Sequence, residues 1–365
     1  MNGSSVTAFR PVVTGGLALA AGFTVLGLGL AAAGYDAPLA LGALVRGAFG
    51  SWDALVSATL VRAVPLIVLG LGIALAFRAG GLNIGAEGQL YAGAIAATWI
   101  GLQVGSWPGP AAISAVWVGA AVAGALWMAV PVLLRVRFGV LEVISTLLLN
   151  FVAEAAVSYA VTGPLREASG AYPQSDPIAV SARLPLLSGS RLHLGVVAAG
   201  LLAVLLWILF TRTVWGFRLR AVGLSPRAAE ISGRIPVNRV LGAALLWSGA
   251  LAGLGGGIEV SGVTYSLFQN LSPGYGFTAI AVALLARLHP LGVVVTGVLF
   301  GALEAGAQGM QREAGVPAVA VAVAEAGVIL AVLLAEVVVR KAAPLRVVRR
   351  SGGQAVEDAP SPQGT

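Results

Sequence analysis

The sequence predicts an all-α polytopic membrane protein with about ten transmembrane helices, and three observations predict it. The 365 residues are 58% hydrophobic and only 10% charged, with a mean hydropathy of +0.92. A soluble domain carries roughly 25% charged residues, and disorder needs low hydrophobicity, so both classes are excluded. The apolar residues fall in continuous runs near the roughly 20 residues that span a bilayer, whereas a barrel would alternate apolar and polar positions. The basic residues, finally, gather in alternate segments between those runs.

The elements follow in chain order. A short polar start, 1–11, is expected on the cytoplasmic side. The run 12–33 exceeds the apolar core of a signal peptide and reads as an uncleaved first helix. Residues 34–56, with Asp36, Arg46 and Asp53, read as a loop. Further runs lie near 57–77, 82–102, 110–134, 139–161, 193–211, 238–261, 276–287, 290–311 and 317–339. The run 276–287 is too short to cross straight and alone. The outer loop 162–192 carries four prolines and mixed charges and reads as a structured cap. In the inner loop 212–237, Ser225 before Pro226 is a helix start and Gly233 suits the stop. The transmembrane domain is expected over 12–340, with a disordered cytoplasmic tail at 341–365. With both termini inside, 16 of the 22 basic residues fall on the cytoplasmic side, the bias that the positive-inside rule demands. The net charge of +7 is thereby read as topology in a cell membrane, with no nucleic acid as partner.

Several chemistries are excluded. Cysteine is absent, and His193 and His289 stand far apart, so neither a thiol site nor a metal motif is expected. The only lysine is Lys341, and no Gly-x-x-x-x-Gly-Lys loop surrounds it. No cofactor and no catalytic constellation are expected; the chain is read as a transport subunit and not an enzyme. If its work is ATP-driven, the motor is another polypeptide.

Polar residues inside the runs are the informative minority. Asn83-Ile84-Gly85-Ala86-Glu87-Gly88-Gln89 opens one run, and Ser272-Pro273-Gly274-Tyr275-Gly276-Phe277 precedes another. Gly/Pro-interrupted segments in two halves of a transporter point to a central site, and a carboxylate within the bilayer faces a partner or a wet path. Glu142, Asn150, Glu154, Glu259, Gln269, Asn270, Glu304 and Glu325 are further polar positions; each reads first as a brace, and the glutamates, with Glu87, alternatively as a proton relay. Gly249, Gly253, Gly257 and Ser261 form one small-residue stripe, and Gly297, Gly301, Ala305 and Gly309 another. Such stripes let helices pack closely, and would alternatively slide during gating.

The segment Phe77–Gln89 resembles the signature of permease subunits of ABC importers in the branched-chain amino acid, ribose and nucleoside group, nearest the nucleoside (guanosine-type) branch. Leu148-Leu149-Asn150-Phe151 leading to Gly163-Pro164-Leu165, the segment Arg220–Ala229, and Pro273–Arg287 followed by His289-Pro290-Leu291-Gly292 resemble the same family in the same order. The resemblance implies the type II importer fold. It also implies partners: ABC ATPase subunits that bind the ATP, a second permease, and an extracytoplasmic solute-binding protein. The expected function is a translocation path for a small polar solute, with nucleosides as the first expectation; the rival is an ion-coupled secondary transporter using the buried glutamates. Asn83, Glu87, Gln89, Asn150, Tyr275 and Phe277 are the expected substrate-path residues, because amides and carboxylates bond hydroxyls and base edges while rings stack. Arg220, Gly223, Arg227, Ala228, Ala229, Glu230, Ile231 and Gly233 are the expected ATPase-coupling segment. In it Ala228, Ala229 and Ile231 would form an apolar knob, and Arg220 and Arg227 would orient it.

Overall fold

A computed structural model describes residues 23–187, 189–231 and 235–317, together with 323, 326, 327 and 330. Among them the chain is helical, with only two isolated β-bridges. Six helices are long and apolar enough to cross a membrane: 54–78, 109–138, 142–162, 195–212, 237–264 and 290–314. Helix α4 (Ala86–Gln103) has spanning length, while Phe23–Ala32 (α1), Ala37–Phe49 (α2) and Tyr275–Leu285 (α11) are shorter. The run near 317–339, Glu325, Gly233 and the two termini lie outside the described residues.

Two local expectations are corrected. Residues 34–56, expected as a loop, contain α2. Asp36 caps it by accepting from the Leu39 amide at 2.9 Å, and Ala40, Ala43, Leu44 and Ala48 make a buried face. That face meets the small residues of α12 (Pro290–Ala314): a Cβ on Gly309 would stand 2.5 Å from the Ala43 carbonyl oxygen. A π-helix, Ala54–Leu60, then runs straight into α3 (Val61–Arg78), so this span starts earlier than its apolar run. The inner loop holds two helices instead of one, α8 (Val214–Leu224) and α9 (Pro226–Ile231). Thr213 caps α8 through the Gly216 amide at 3.0 Å, and Leu219 and Val222 bury its inner side.

Helix α10 (Val237–Glu259) is the hub, packing on α3, α4 and α5 (Gly109–Phe138). The glycine stripe makes this possible, since only small residues allow backbones to touch. Gly253 sits between Gly93 of α4 and Gly124 of α5, and a Cβ on Gly253 would stand 2.8 Å from Gly124 Cα. The second stripe, on α12, does the same against α3: a Cβ on Gly301 would lie 2.8 Å from the Ala63 amide nitrogen. Helix α3 is therefore almost wholly buried, while α5, α6 (Glu142–Thr162) and α7 (Gly195–Arg212) present exposed apolar rows such as Val118, Val122, Leu126 and Val130.

The segment joining α6 to α7 is an ordered cap. It runs along residues 261–268, with Ser175, Ile178 and Leu184 amides donating to the carbonyls of Leu267, Tyr265 and Ser261 at 2.8 Å each. Arg183 stacks on the Tyr265 ring at 4.9 Å. His193 is fully buried, its Nδ1 accepting from the Gly195 amide at 3.2 Å. Burial pushes the imidazole down to about 4, so it is neutral at pH 7.

Candidate functional site

Between α3 and α4 the chain is irregular yet buried. Gly80, at φ +83°, turns it after α3, and residues 81–85 run unhelical up to Ala86. Backbone polar groups at such depth must be satisfied by protein, and one face of α6 does this. Glu142 accepts from the Leu82 amide at 3.3 Å and Thr146 from the Ile84 amide at 3.4 Å. Asn150 accepts from the Gly88 amide at 2.8 Å and donates to the Ile84 carbonyl at 3.0 Å. These residues are spaced by four, so they share one helix face. Arg135 pairs with Glu142 at the end of that row. Asn83 points the other way, donating to Gln89 at 2.8 Å and to Ser248 of α10 at 2.9 Å.

Glu87 joins this segment to the second interrupted one. Its Oε2 accepts from the Gly276 amide at 2.6 Å, in the first turn of α11, and the Ser272 side chain bonds it as well. A helix N-terminus offers unpaired amides and positive dipole, so a carboxylate belongs there. Gly276 must be glycine because a Cβ would stand 2.6 Å from Glu87 Cα. Tyr91 reaches the Ser272 carbonyl at 3.4 Å. The start of α11, an 11-residue helix, is thus tied to the start of α4.

Of the expected path residues, Asn83, Glu87, Gln89, Asn150 and Tyr275 are buried in this region. Their amides and the Glu87 carboxylate are largely engaged with protein partners, so they hold the two segments together. Phe277 is 47% exposed and stands apart from them.

The open space lies at the capped end of the bundle. A cavity of about 470 Å³ is lined by Arg62, Glu259, Tyr275, Thr278, Glu304 and Gln308, among others. A second, of about 380 Å³, lies along Tyr91, Glu154, Ser158 and Gln269, and Asn270 borders both. Sequence reading singled out Glu154, Glu259, Gln269, Asn270 and Glu304 without gathering them into a site, and passed over Arg62 and Gln308. One signal was available: Glu142, Thr146, Asn150, Glu154 and Ser158 recur every fourth residue in an otherwise apolar helix.

At the opposite end lies the α8–α9 surface. Ser225 caps α9, accepting from the Ala228 amide at 3.3 Å. Two expected coupling residues, Ala229 and Arg220, are turned inward instead, while Gly223 is exposed at the edge of the bundle. Ala229 is buried; Arg220 donates to the Phe210 carbonyl; Gly223 packs on the Arg78–Gly80 turn, where a Cβ on Gly80 would stand 3.4 Å from its Cα. The reason is geometric: α8 packs on α3, α7 and α10, and α9 on α8 and α10, so one side of each faces the bundle. Arg227, Ala228 and Glu230 face outward, and the apolar projections are Leu224 and Ile231, 87% and 85% exposed.

Comparison with known proteins agrees with this architecture. The family pattern of the branched-chain amino acid transport system / permease component matches residues 55–337. The chain is 38% identical over 288 residues to the glucose ABC transporter permease protein TsgB13 of Haloferax volcanii, covering 76% of this chain and 75% of that one. It is 37% identical over 330 residues to the guanosine ABC transporter permease protein NupP of Bacillus subtilis, covering 88% and 91%. The nucleoside ABC transporter permease protein NupB of Lactococcus lactis is 32% identical over 330 residues, covering 88% and 90%. No solved structure matches. A helical bundle with six helices, among the described residues, long and apolar enough to cross a membrane, interrupted segments meeting in its interior, and a match over most of its length make this chain a multi-pass membrane protein that belongs to the branched-chain amino acid transport system permease family.

Proposed function

We propose that the chain is the transmembrane subunit of an ATP-driven importer that carries nucleosides. The observation that carries this reading is the 37% identity to a guanosine permease across nearly all of both chains. The fold is read as the type II importer architecture, with about ten spans, the transmembrane domain at 12–340 and both termini in the cytoplasm. The capped end faces outward, where a solute-binding protein delivers solute. The α8–α9 surface faces the cytoplasm, and Leu224 and Ile231 seat in a groove of the ATPase while Arg227 orients it. Exposed ion pairs are worth only about 0–1 kcal/mol each, so the apolar projections supply more of the fit. A second permease chain completes the path. Asn83, Glu87, Gln89 and Asn150 brace that path, and Tyr275 reaches its wall.

A second reading, sugar transport, rests on the 38% identity to a glucose permease. Uptake decides between them. Bacterial cells lacking their own nucleoside uptake, expressing this chain with its ATPase, partner permease and binding protein, should accumulate labelled guanosine. Accumulation should stop when the ATPase is inactivated and persist when ion gradients are collapsed. Glucose accumulation without guanosine would establish the sugar reading. Uptake that needs an ion gradient and no ATPase would replace both with a secondary transporter.

A further inference from the structure

The cavity at the capped end has features that its packing does not require. It is bounded by both π-helical segments of the described chain: Ser57 lies in Ala54–Leu60 and Arg62 two residues beyond it, while Glu259 precedes Val260–Thr264 and Thr264 ends it. A π-turn is rare and is frequently found at functional sites. Here each π-segment adjoins a charged side chain, Arg62 or Glu259, that lines one space. Within that space Glu259 is 4% exposed, and its Oε2 has no hydrogen-bond partner. An acceptor buried without a donor is costly and calls for an explanation. The nearby cation Arg62 is engaged elsewhere, donating to Gln308 at 2.5 Å and to the Ala58 carbonyl at 3.1 Å.

We propose that this cavity is a solute-binding site of the permease itself, which takes an uncharged solute bearing a vicinal diol, with Glu259 as the hydroxyl acceptor. The inference rests on the reading of the chain as an importer permease. Two arginines, Arg62 and Arg191, and two glutamates, Glu259 and Glu304, line the space, so residues of neither sign outnumber the other in it. Its dense donors and acceptors suit a polyhydroxylated molecule. Its volume of about 470 Å³ falls within the roughly 300–1,000 Å³ of small-ligand sites. The terminal torsion of a glutamate is soft, so a small turn presents the unpartnered oxygen to an entering hydroxyl. Phe268 and Tyr275 supply ring faces for a flat base or the apolar face of a sugar. Ribose and hexose share the diol, and the choice between them falls to those rings.

The test is equilibrium binding to the full-length chain in lipid nanodiscs. The probes are guanosine, 2′-deoxyguanosine, which lacks the ribose diol, and glucose. Guanosine is expected to bind at least tenfold more tightly than 2′-deoxyguanosine, and Glu259→Gln is expected to abolish that ratio while keeping the size-exclusion profile. Glucose binding in place of guanosine, equally sensitive to Glu259→Gln, would keep the site and assign it to hexoses. Should Glu259→Gln fail to fold, Gln308→Leu and Thr278→Val serve instead, and both must weaken binding at least threefold. An unchanged guanosine ratio in these variants overturns the proposal, as does the absence of binding by every probe. Guanosine uptake by the complete transporter in the same variants separates the two levels. Normal uptake with no binding here removes this site and leaves the importer reading intact, whereas no uptake even by the unaltered transporter removes the importer reading.

Discussion

At the scale of single residues, Asn150 illustrates how much one amide holds. It accepts from the Gly88 amide and donates to the Ile84 carbonyl, across a segment that no regular ladder supports. Its orientation is determined by those two partners, because the flipped amide would set donor against donor. Replacement by leucine leaves both backbone groups unpaired in an apolar setting, at roughly 1–3 kcal/mol each. Asn150→Leu should therefore lose about 2–6 kcal/mol, read as a lowered thermal midpoint of the purified protein in detergent. An unchanged midpoint would mean that water replaces the amide, and that residues 82–88 line a wet channel. The polar row on α6 was legible as a spacing of four, but its partners were not. They are backbone groups, and backbone carries no residue code in the sequence.

At the scale of elements, the structure turns on how closely helices approach. Helix α10 touches α4 and α5 through backbone at Gly93, Gly124, Gly249 and Gly253, so these contacts have no side chain that could yield. Overpacking typically costs 1–3 kcal/mol where neighbours can shift, and here the neighbours are main chain. Gly253→Val should insert into the membrane at normal levels but lose the monodisperse size-exclusion peak. A normal peak together with normal uptake would assign this stripe to a loose surface. The small-residue periodicity announced packing faces correctly, since spacing of four makes a stripe whatever it meets. Which helices meet across it depends on the arrangement of the whole bundle. The same limit explains α2, where apolar residues shorter than a span read as loop until α12 is seen to cover them.

At the scale of the whole molecule, the chain has two unlike ends. One carries the cap, the vestibule and Arg62 with Glu259; the other carries α8, α9 and the exposed Leu224 and Ile231. Transport from one to the other needs a fixed orientation; the orientation proposed above rests on the 16:6 division of basic residues that the ten-span reading gives. Reporter fusions truncated after Gly170 and after Leu224 are expected on opposite sides of the membrane, the first extracytoplasmic. The same side for both would overturn the orientation and, with it, the assignment of the α8–α9 surface to the ATPase.

By itself the sequence determined the class of the protein, the places where its helices are interrupted, and its family resemblance. Hydrophobicity, glycine and proline act locally, and a lipid solvent leaves a chain this apolar few alternatives to helix. The tertiary structure alone decided which polar residues face one another. Glu87 meets the start of α11, 189 positions away, and Asn83 meets Ser248, 165 positions away. It also decided that Ala229 and Arg220 turn inward while Leu224 turns outward, and that Arg62 and Glu259 share a cavity. Such pairings depend on helix rotation and depth. Those are settled by close packing of glycine faces summed over the entire bundle, a quantity that no local window of residues contains.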